Sequence, residues 1–538
     1  MLHPLVDLNS LGPPYPKAAP FSSRPHSQTQ YAALSRTEAV LLGFSAYLIV
    51  CLIVFAVTTI HWPLAGDAAL MHYIDFLMEH GRVPYRDIAD MNLPGSYLID
   101  YVVMHVLGGG SLAWRFFDLA LMLTGALAMI VIARPCGWFS GFLSGALLTL
   151  IHGRDGIYEL GQRDLVVAIL LLIAYAAFFR AAREDSPRWM FLFGLCASMT
   201  ATIKPVFLPF GTLLLLCMTF MQIRKCRPIS SFMLWGIGGL LLPIMAMFSF
   251  LWMMHATTDF FAVMQGIMPF HVSLARKHLG FLLVHSCSPV LPLVGAWLVC
   301  LCFQWRRWIN FEGAALLTGL LLGLTSYVAQ GKGFSYHRYP FIALLLLIVS
   351  IDFQRCLTGN RWARSAGWAG IALGVCFLAT VSTVKASQYD WRNTEFSTML
   401  QSDLRRFGGQ SLSGQVQCID TIGGCFEVLY DMKLLQSDRF VYDEFLFASS
   451  QDAVVTRTRE GFLGELQEKP PHLIVITDDL FPLGPADFQK LKRWQEFAGY
   501  LQENYSLCAQ GRPQNDVKWW SRAQQPHSYL IFCSKRAR

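Results

Sequence analysis

Long apolar runs separated by short charged connectors dominate the first two-thirds of the chain. A bilayer-spanning helix needs roughly 20 apolar residues, fewer where neighbours cover its ends. Runs that meet this requirement lie at about 38–60, 113–133, 137–151, 164–181, 189–203, 206–223, 229–254, 283–304, 312–329, 340–354 and 366–385. They predict an α-helical polytopic membrane protein with about eleven transmembrane helices. A further apolar segment, Gly95–Gly110 (GSYLIDYVVMHVLGGG), is short and contains Asp100 and His105, so it is read as an interfacial or re-entrant helix. From about Gln388 the pattern changes. QVQCID, HLIVIT and SYLIFC are short apolar runs bounded by Gly, Pro or Asp, as buried strands are. GCFEVLYDMKLL and ADFQKLKRWQEFAGYLQENY show helical spacing. Residues 388–538 are therefore expected to form a soluble α/β domain. The membrane domain would cover 36–387, with its first outer loop at 61–112, preceded by a disordered tail at 1–35 that is rich in Pro and Ser.

Composition supports this division. The chain has 538 residues, 54% of them hydrophobic and 15% charged, where a soluble domain carries about 25% charged residues. Its net charge of +7 is modest and lies in short clusters between apolar runs, which suits bilayer topology and not nucleic-acid binding. With the N-terminal tail in the cytoplasm, the inner connectors contain Arg134, RAAREDSPR, RKCR, QWRR and RCLTGNRWAR, as the positive-inside rule expects. The first loop, the loops HGRDGIYELGQRD, HATTDFFAVMQGIMPFHVSLARKH and QGKGFSYHRYP, and the C-terminal domain then lie outside the cytoplasmic membrane. Of the fourteen cysteines, Cys418, Cys425, Cys508 and Cys533 would face an oxidising compartment where bridges form. Their pairing does not follow from the sequence.

The outer loops concentrate the polar chemistry. Asp67 opens GDAALMHYIDFLMEH directly after the first span. It can cap the helix that follows, or act at the headgroup boundary as a general base towards a hydroxyl. Leu70, Met71, Ile74, Leu77 and Met78 form one apolar face, expected to lie on the membrane surface, with Asp75 and Glu79 on a solvated face. The return loop GRVPYRDIADMNLPGSY adds Tyr85, Asp87 and Asp90, the acids as turn caps or further site groups. Asp164 stands at the mouth of a later span. It is either an N-cap, beside a Glu159–Arg163 pair at i, i+4, or a second carboxylate facing Asp67 and able to orient an acceptor or hold a divalent cation. Lys204 in TIKP either snorkels to headgroups or joins Arg276, Lys277, Lys332, His337 and Arg338 in binding an anionic group such as a lipid-linked phosphate. GKG lacks the remainder of a nucleotide-binding loop. Arg115 and Asp118 lie one turn apart near the outer end of a span and are expected to pair.

The first-loop Gly-Asp, the segment GRVPYRDIADMNLPGSY, and then AWRFFD, YELGQRDLVVAILLL and TIKP together resemble the GT-C superfamily of membrane glycosyltransferases, in particular the protein-O-mannosyltransferase and aminoarabinose–lipid A transferase group. The resemblance implies an inverting transfer of a sugar from a polyprenyl-phosphate donor to a lipid, glycan or protein acceptor. It makes Asp67 the general base and Asp164 the second-loop acid, with Asp155 and Glu159 as near competitors for that position. The group often has Asp-Glu where this chain has Asp67-Ala68, which leaves a divalent metal open; no other cofactor is implied. Two other readings share the sided charges: a transporter or flippase for an anionic lipid-linked sugar, and a glycan ligase or polymerase. The topology has a direct test. A reporter enzyme active only outside the cytoplasm, fused after Arg538, is expected to be active, whereas activity of a cytoplasmic reporter there overturns the loop assignments together.

Overall fold

The computed structural model describes residues 35–538 except 227–228, 306–307, 309, 391–392, 449–451, 482–483, 486–487, 514–521, 524–526 and 538. The expected tail at 1–35 lies outside these apart from Ser35, as do Arg227, Arg306 and Arg307 of the basic connectors. The chain divides into two compact units, Met1–Gly43 and Phe44–Arg538.

Helices occur at every predicted span. They are α1 (Arg36–Thr59), then, after the first-loop helices α2 (Asp67–Glu79) and α3 (Pro94–Leu107), α4 (Gly110–Ala133), α5 (Trp138–Asp155), α6 (Arg163–Glu184), α7 (Arg188–Ile203), α8 (Leu208–Arg224) and α9 (Ser230–Met253). After α10 (Thr257–Ser273) follow α11 (Leu279–Cys287), α12 (Leu291–Gln304), α13 (Phe311–Gln330), α14 (Tyr339–Cys356), α15 (Arg361–Ala372) and α16 (Thr380–Ser387), the last two joined through a π-helical segment, Leu373–Ala379. Among the described residues, eight helical segments are long and apolar enough to cross a membrane by themselves. The pair α11 and α12, bent by 82° at its break, makes a ninth when counted as one broken span and is otherwise a re-entrant loop. The remaining two of the eleven expected spans are shorter or more polar. α7 is a short apolar helix, and α5 is interrupted by Gly, Ser and Thr. Both are buried along most of their length by neighbouring helices, so they do not need a full apolar girdle of their own.

α7 and α9 meet backbone to backbone. A Cβ at Gly239 would collide with the carbonyl oxygen of Phe191 and the amide nitrogen of Leu195, and one at Gly194 with the carbonyl oxygen of Gly236. Small residues that allow such approach are the usual means of associating helices in lipid, where no hydrophobic force drives them together.

The C-terminal region contains a four-stranded sheet, β1 (Val416–Ile419), β2 (Leu473–Thr477), β3 (Tyr505–Gly511) and β4 (Tyr529–Ser534), in the order β1-β2-β4-β3. β1 and β2 are parallel, with Val416 opposite Leu473, and the other pairs are antiparallel. Four of these assignments agree with the sequence reading: β1, β2, β4 and the helix α18 (Cys425–Asp431), which follows α17 (Asn393–Arg406) in the chain. β3 has a bulge between Leu507 and Ala509, and its irregular alternation concealed it. The long helix expected from ADFQKLKRWQEFAGYLQENY is instead a 3₁₀ segment, Gln489–Arg493, and a helix, Gln495–Asn504, separated at Trp494. The four cysteines expected to bridge do so as Cys418–Cys425 and Cys508–Cys533.

This region changes the environment of the first loop. α2 packs against α3 and α18, and every residue from Ala68 to Leu77 is buried. Its apolar face is therefore covered by protein and does not lie on lipid. Asp75, expected in solvent, is fully buried, and burial together with the neighbouring Asp100 holds its carboxyl well above the usual range. Glu79 is exposed as expected and pairs with His105 at 3.4 Å. Tyr73 Oη donates to Leu434 O (3.1 Å) and accepts from Gln436 N (2.8 Å), and Ala89 N donates to Arg439 O (2.8 Å).

The segment that makes these contacts is held from behind by Lys490. Its buried ammonium donates to Asp443 Oδ2 (2.6 Å), Asp479 O (2.7 Å) and Ile419 O (3.1 Å), while Thr421 Oγ1 donates to Asp443 Oδ1 (2.6 Å). Removing one partner of a buried ion pair leaves the other charge uncompensated. Lys490→Met is expected to cost about 3–5 kcal/mol and to lower the apparent Tm in detergent, with part of the loss recovered by adding Asp443→Asn. A wild-type melting curve for Lys490→Met would refute this. For the membrane helices, Gly239→Val is expected to lose about 1–3 kcal/mol through overpacking, while Gly238→Ala, whose added carbon meets nothing closer than 4.0 Å, melts like the parent. Equal melting of the two variants would refute the close α7–α9 contact.

Candidate active site

Gly66 precedes α2 with φ 59°, and a Cβ there would collide with the ring of Tyr158. This tight entry makes Asp67 the first residue of the helix and not its cap, and its side chain makes no capping bond. It turns to α6 instead. Arg163 Nη2 donates to Asp67 Oδ2 at 2.9 Å, and Tyr336 Oη approaches the same oxygen at 3.5 Å. The two side chains of the pair remain 17% and 16% accessible, so Asp67 is aimed but open to a ligand. The other arm of Arg163 donates to Asn92 Oδ1. The i, i+4 pair of Glu159 with Arg163 is thus replaced by a pair across the first loop.

Successive helical residues are about 100° apart, so Asp164 points elsewhere. It is 1% accessible and pairs with Lys204 (3.2 Å), while Gln330 Nε2 donates to its Oδ1 at 3.3 Å. Lys204 Nζ in turn donates to Gln330 Oε1 at 2.9 Å. Pro205 disfavours the helical conformation in the residue before it, and α7 ends there with Lys204 extended and paired to Asp164. Glu159 is buried, and burial followed by the charge of Asp155 pushes its carboxyl well above the usual range; Arg338 opposes the shift.

The other basic residues expected to bind phosphate fall into three settings. Lys332 is buried and donates to the backbone oxygens of His271 (2.8 Å) and Leu274 (3.2 Å) at the end of α10, and burial lowers its ammonium pKa. Arg338 is buried against Asp155 (2.9 Å) and also reaches His285 O and Ser288 Oγ. His337 is buried, its Nδ1 makes no hydrogen bond, and Lys204, Lys332, Arg163 and His271 all act electrostatically on it. Arg276, Lys277 and His278 are exposed. His278 caps α11, accepting from Phe281 N, and with Gly280, Phe281, Val284, His285 and Ser288 it lines a cavity of about 350 Å³ at the bent α11–α12 pair. Beneath Arg338, Asp155 belongs to a polar chain: Tyr339 Oη donates to Asp155 (3.4 Å) and meets His152, and His152 Nε2 donates to Asp118 (2.9 Å). Asp118 accepts from Arg115, the pairing expected from their spacing.

In the return loop, Asp87 is a turn cap, accepting from Val83 N at 3.0 Å. Tyr85 Oη donates to Asn92 O at 2.7 Å. Asp90, by contrast, is buried as an acceptor for other side chains. Asn92, Tyr336 and Gln330 are contacts of the site that were not expected, and Asp155 was expected only as a competitor of Asp164. Asn92, Tyr336 and Gln330 each lie inside a quoted loop, Gln330 as the first residue of QGKGFSYHRYP, and that placement is the signal that could have found them. Among the described residues, no group of three His, Cys, Asp or Glu is arranged to hold a metal ion. Asp67 and Asp164 each already face a cationic side chain.

No protein-family model matches the chain, and no curated protein matches it by sequence. Solved structures do match in fold. ArnT from Cupriavidus metallidurans bound to undecaprenyl phosphate aligns over 92% of this chain and 98% of its own, with a TM-score of 0.55 at 12% identity. The oligosaccharyltransferase of Archaeoglobus fulgidus, tethered to an acceptor peptide containing the NVT sequon, aligns over 80% of this chain and 69% of its own, with a TM-score of 0.50 at 9% identity. With its membrane helices, its first-loop helix pair and its C-terminal sheet, the chain has the fold of the GT-C membrane glycosyltransferases.

Proposed function

We propose that the chain is a membrane glycosyltransferase that moves a sugar from a polyprenyl-phosphate donor to a hydroxyl acceptor at the outer face of the cytoplasmic membrane. The observation that carries this reading is Asp67: a partly open carboxylate on the first outer loop, fixed by Arg163 at 2.9 Å, in a chain with the GT-C fold. The similarity to ArnT, whose structure holds undecaprenyl phosphate, supports the donor class. The disulfides Cys418–Cys425 and Cys508–Cys533 suit an oxidising compartment and so support an outward C-terminal region.

In the proposed mechanism Asp67 accepts the proton of the acceptor hydroxyl as its oxygen attacks the anomeric carbon. The bond from that carbon to the phosphate oxygen breaks on the opposite face, which inverts the configuration, and the electron pair leaves with the phosphate. Cationic groups near a leaving phosphate lower the barrier because its charge grows in the transition state. His337, with its free Nδ1 in the field of Lys204, Lys332 and Arg163, is the proposed inner phosphate contact. Exposed Arg276 and Lys277, beside the cavity at α11, are the proposed outer ones. The lipid tail stays in the bilayer, so the donor needs no nucleotide-binding domain.

A positioned general base contributes about 10²–10⁴ in rate, and Asp67→Asn is expected to lose that much. The measurement is transfer from radiolabelled undecaprenyl-phosphate hexoses and pentoses in membranes, with the amount of inserted protein checked in parallel. Undiminished transfer by correctly inserted Asp67→Asn would overturn the proposal.

A further inference from the structure

Tyr442 belongs to the C-terminal region, in RFVYDEFLF, yet its hydroxyl lies inside the first outer loop. It donates to Asp90 Oδ1 at 2.6 Å, and Asn92 Nδ2 donates both to Tyr442 Oη (3.1 Å) and to the same Asp90 oxygen (2.8 Å). Tyr97 Oη donates to Asp90 Oδ2 at 2.6 Å. Asp90 is 1% accessible, so this buried carboxylate depends on these donors. The two phenol bonds have the short lengths of charge-assisted hydrogen bonds. Burial, and the charge of Asp90, push both phenols well above their usual pKa, so they remain donors.

Asn92 is the link outward. Its amide nitrogen is committed to Asp90 and Tyr442, which directs its amide oxygen to Arg163. Arg163 then has one arm on Asn92 and the other on Asp67. The order Tyr442, Asp90/Asn92, Arg163, Asp67 is a continuous set of contacts from the C-terminal region to the open carboxylate. Its far end is braced: the adjacent Asp443 is held by Lys490, and Glu444 accepts from His271 at 2.6 Å.

We infer that Tyr442 is a positioning residue, through which the C-terminal region completes the active site by locking Asn92 and thereby aiming Arg163 at Asp67. Without the phenol hydroxyl, Asp90 loses a donor and Asn92 loses a partner, and Arg163 can swing towards Asp90 and away from Asp67. The C-terminal region is then part of the site and not an appendage of it. This rests on the proposed role of Asp67, and the test separates the two.

The experiment compares the full-length parent with Tyr442→Phe, Asp90→Asn, their double variant and Asp67→Asn. Transfer from radiolabelled undecaprenyl-phosphate sugars is followed as kcat and KM against pH. Hydrogen bonds to charged groups set the scale, so Tyr442→Phe is expected to lower kcat by about tenfold or more. Donor KM should hold, and the acidic limb of the pH–rate profile should move, a change that a general loss of folded protein does not produce. Asp90→Asn should move the same limb, and the double variant should be no worse than Asp90→Asn, since both changes break one chain of contacts. Folded Tyr442→Phe with the parent kcat and profile would overturn the inference, as would losses that multiply in the double variant. If Tyr442→Phe does not accumulate, an unshifted profile in Asp90→Asn overturns it alone. Retained transfer by Asp67→Asn would reject the role of the base instead.

Discussion

The contact between the first loop and the segment around 434–444 organises the surroundings of Asp67. Its strength lies in polar groups that have no access to water. The Tyr73 hydroxyl donates to Leu434 O and accepts from Gln436 N, Ala89 N donates to Arg439 O, and Asp90 is satisfied with help from Tyr442. Each such group would cost free energy if left unpaired in a buried interface. The loop therefore has little freedom to leave the C-terminal region, and the open carboxylate at the start of α2 takes its direction from a fixed frame.

Charges near the site are arranged in pairs that leave few groups uncommitted. Asp67 faces Arg163, Asp164 faces Lys204, and Asp155 faces Arg338. Such pairing is how ionised groups are retained close to the membrane. Against that background His337 differs, being buried with a ring nitrogen that has no hydrogen-bond partner and cations around it. The bent α11–α12 pair adds a cavity, with the exposed Arg276 and Lys277 just before it in the chain. The proposed donor phosphate would meet this cationic opening, while the paired charges beneath it hold Asp67 in place.

Where the sequence reading failed, the cause was burial supplied by distant segments. The apolar face of α2 has the spacing of a surface helix, and nothing local distinguishes lipid from the protein of α18 as its partner. Asp75 was read as solvated for the same reason. For Asp67 the structure removes the cap, because Gly66 against Tyr158 takes the N-cap position and leaves Asp67 as the first helical residue. Glu159 and Arg163 have the spacing of a helical pair, but the intended partner lies 96 residues away on another element.

The sequence by itself determined what period and composition encode: the helical spans, the short strands β1, β2 and β4, the Arg115–Asp118 pair, the cysteines that bridge and the prominence of Asp67. These depend on neighbours within a few turns or on the cost of exposing apolar surface. Tertiary structure alone decided which cation meets which carboxylate, the pairing of the four cysteines, and the entry of Tyr442 into the first loop 352 residues away from Asp90. Contacts across such separations have no periodicity to announce them, because they are fixed by how whole helices and the sheet pack and not by the order of residues within any one of them.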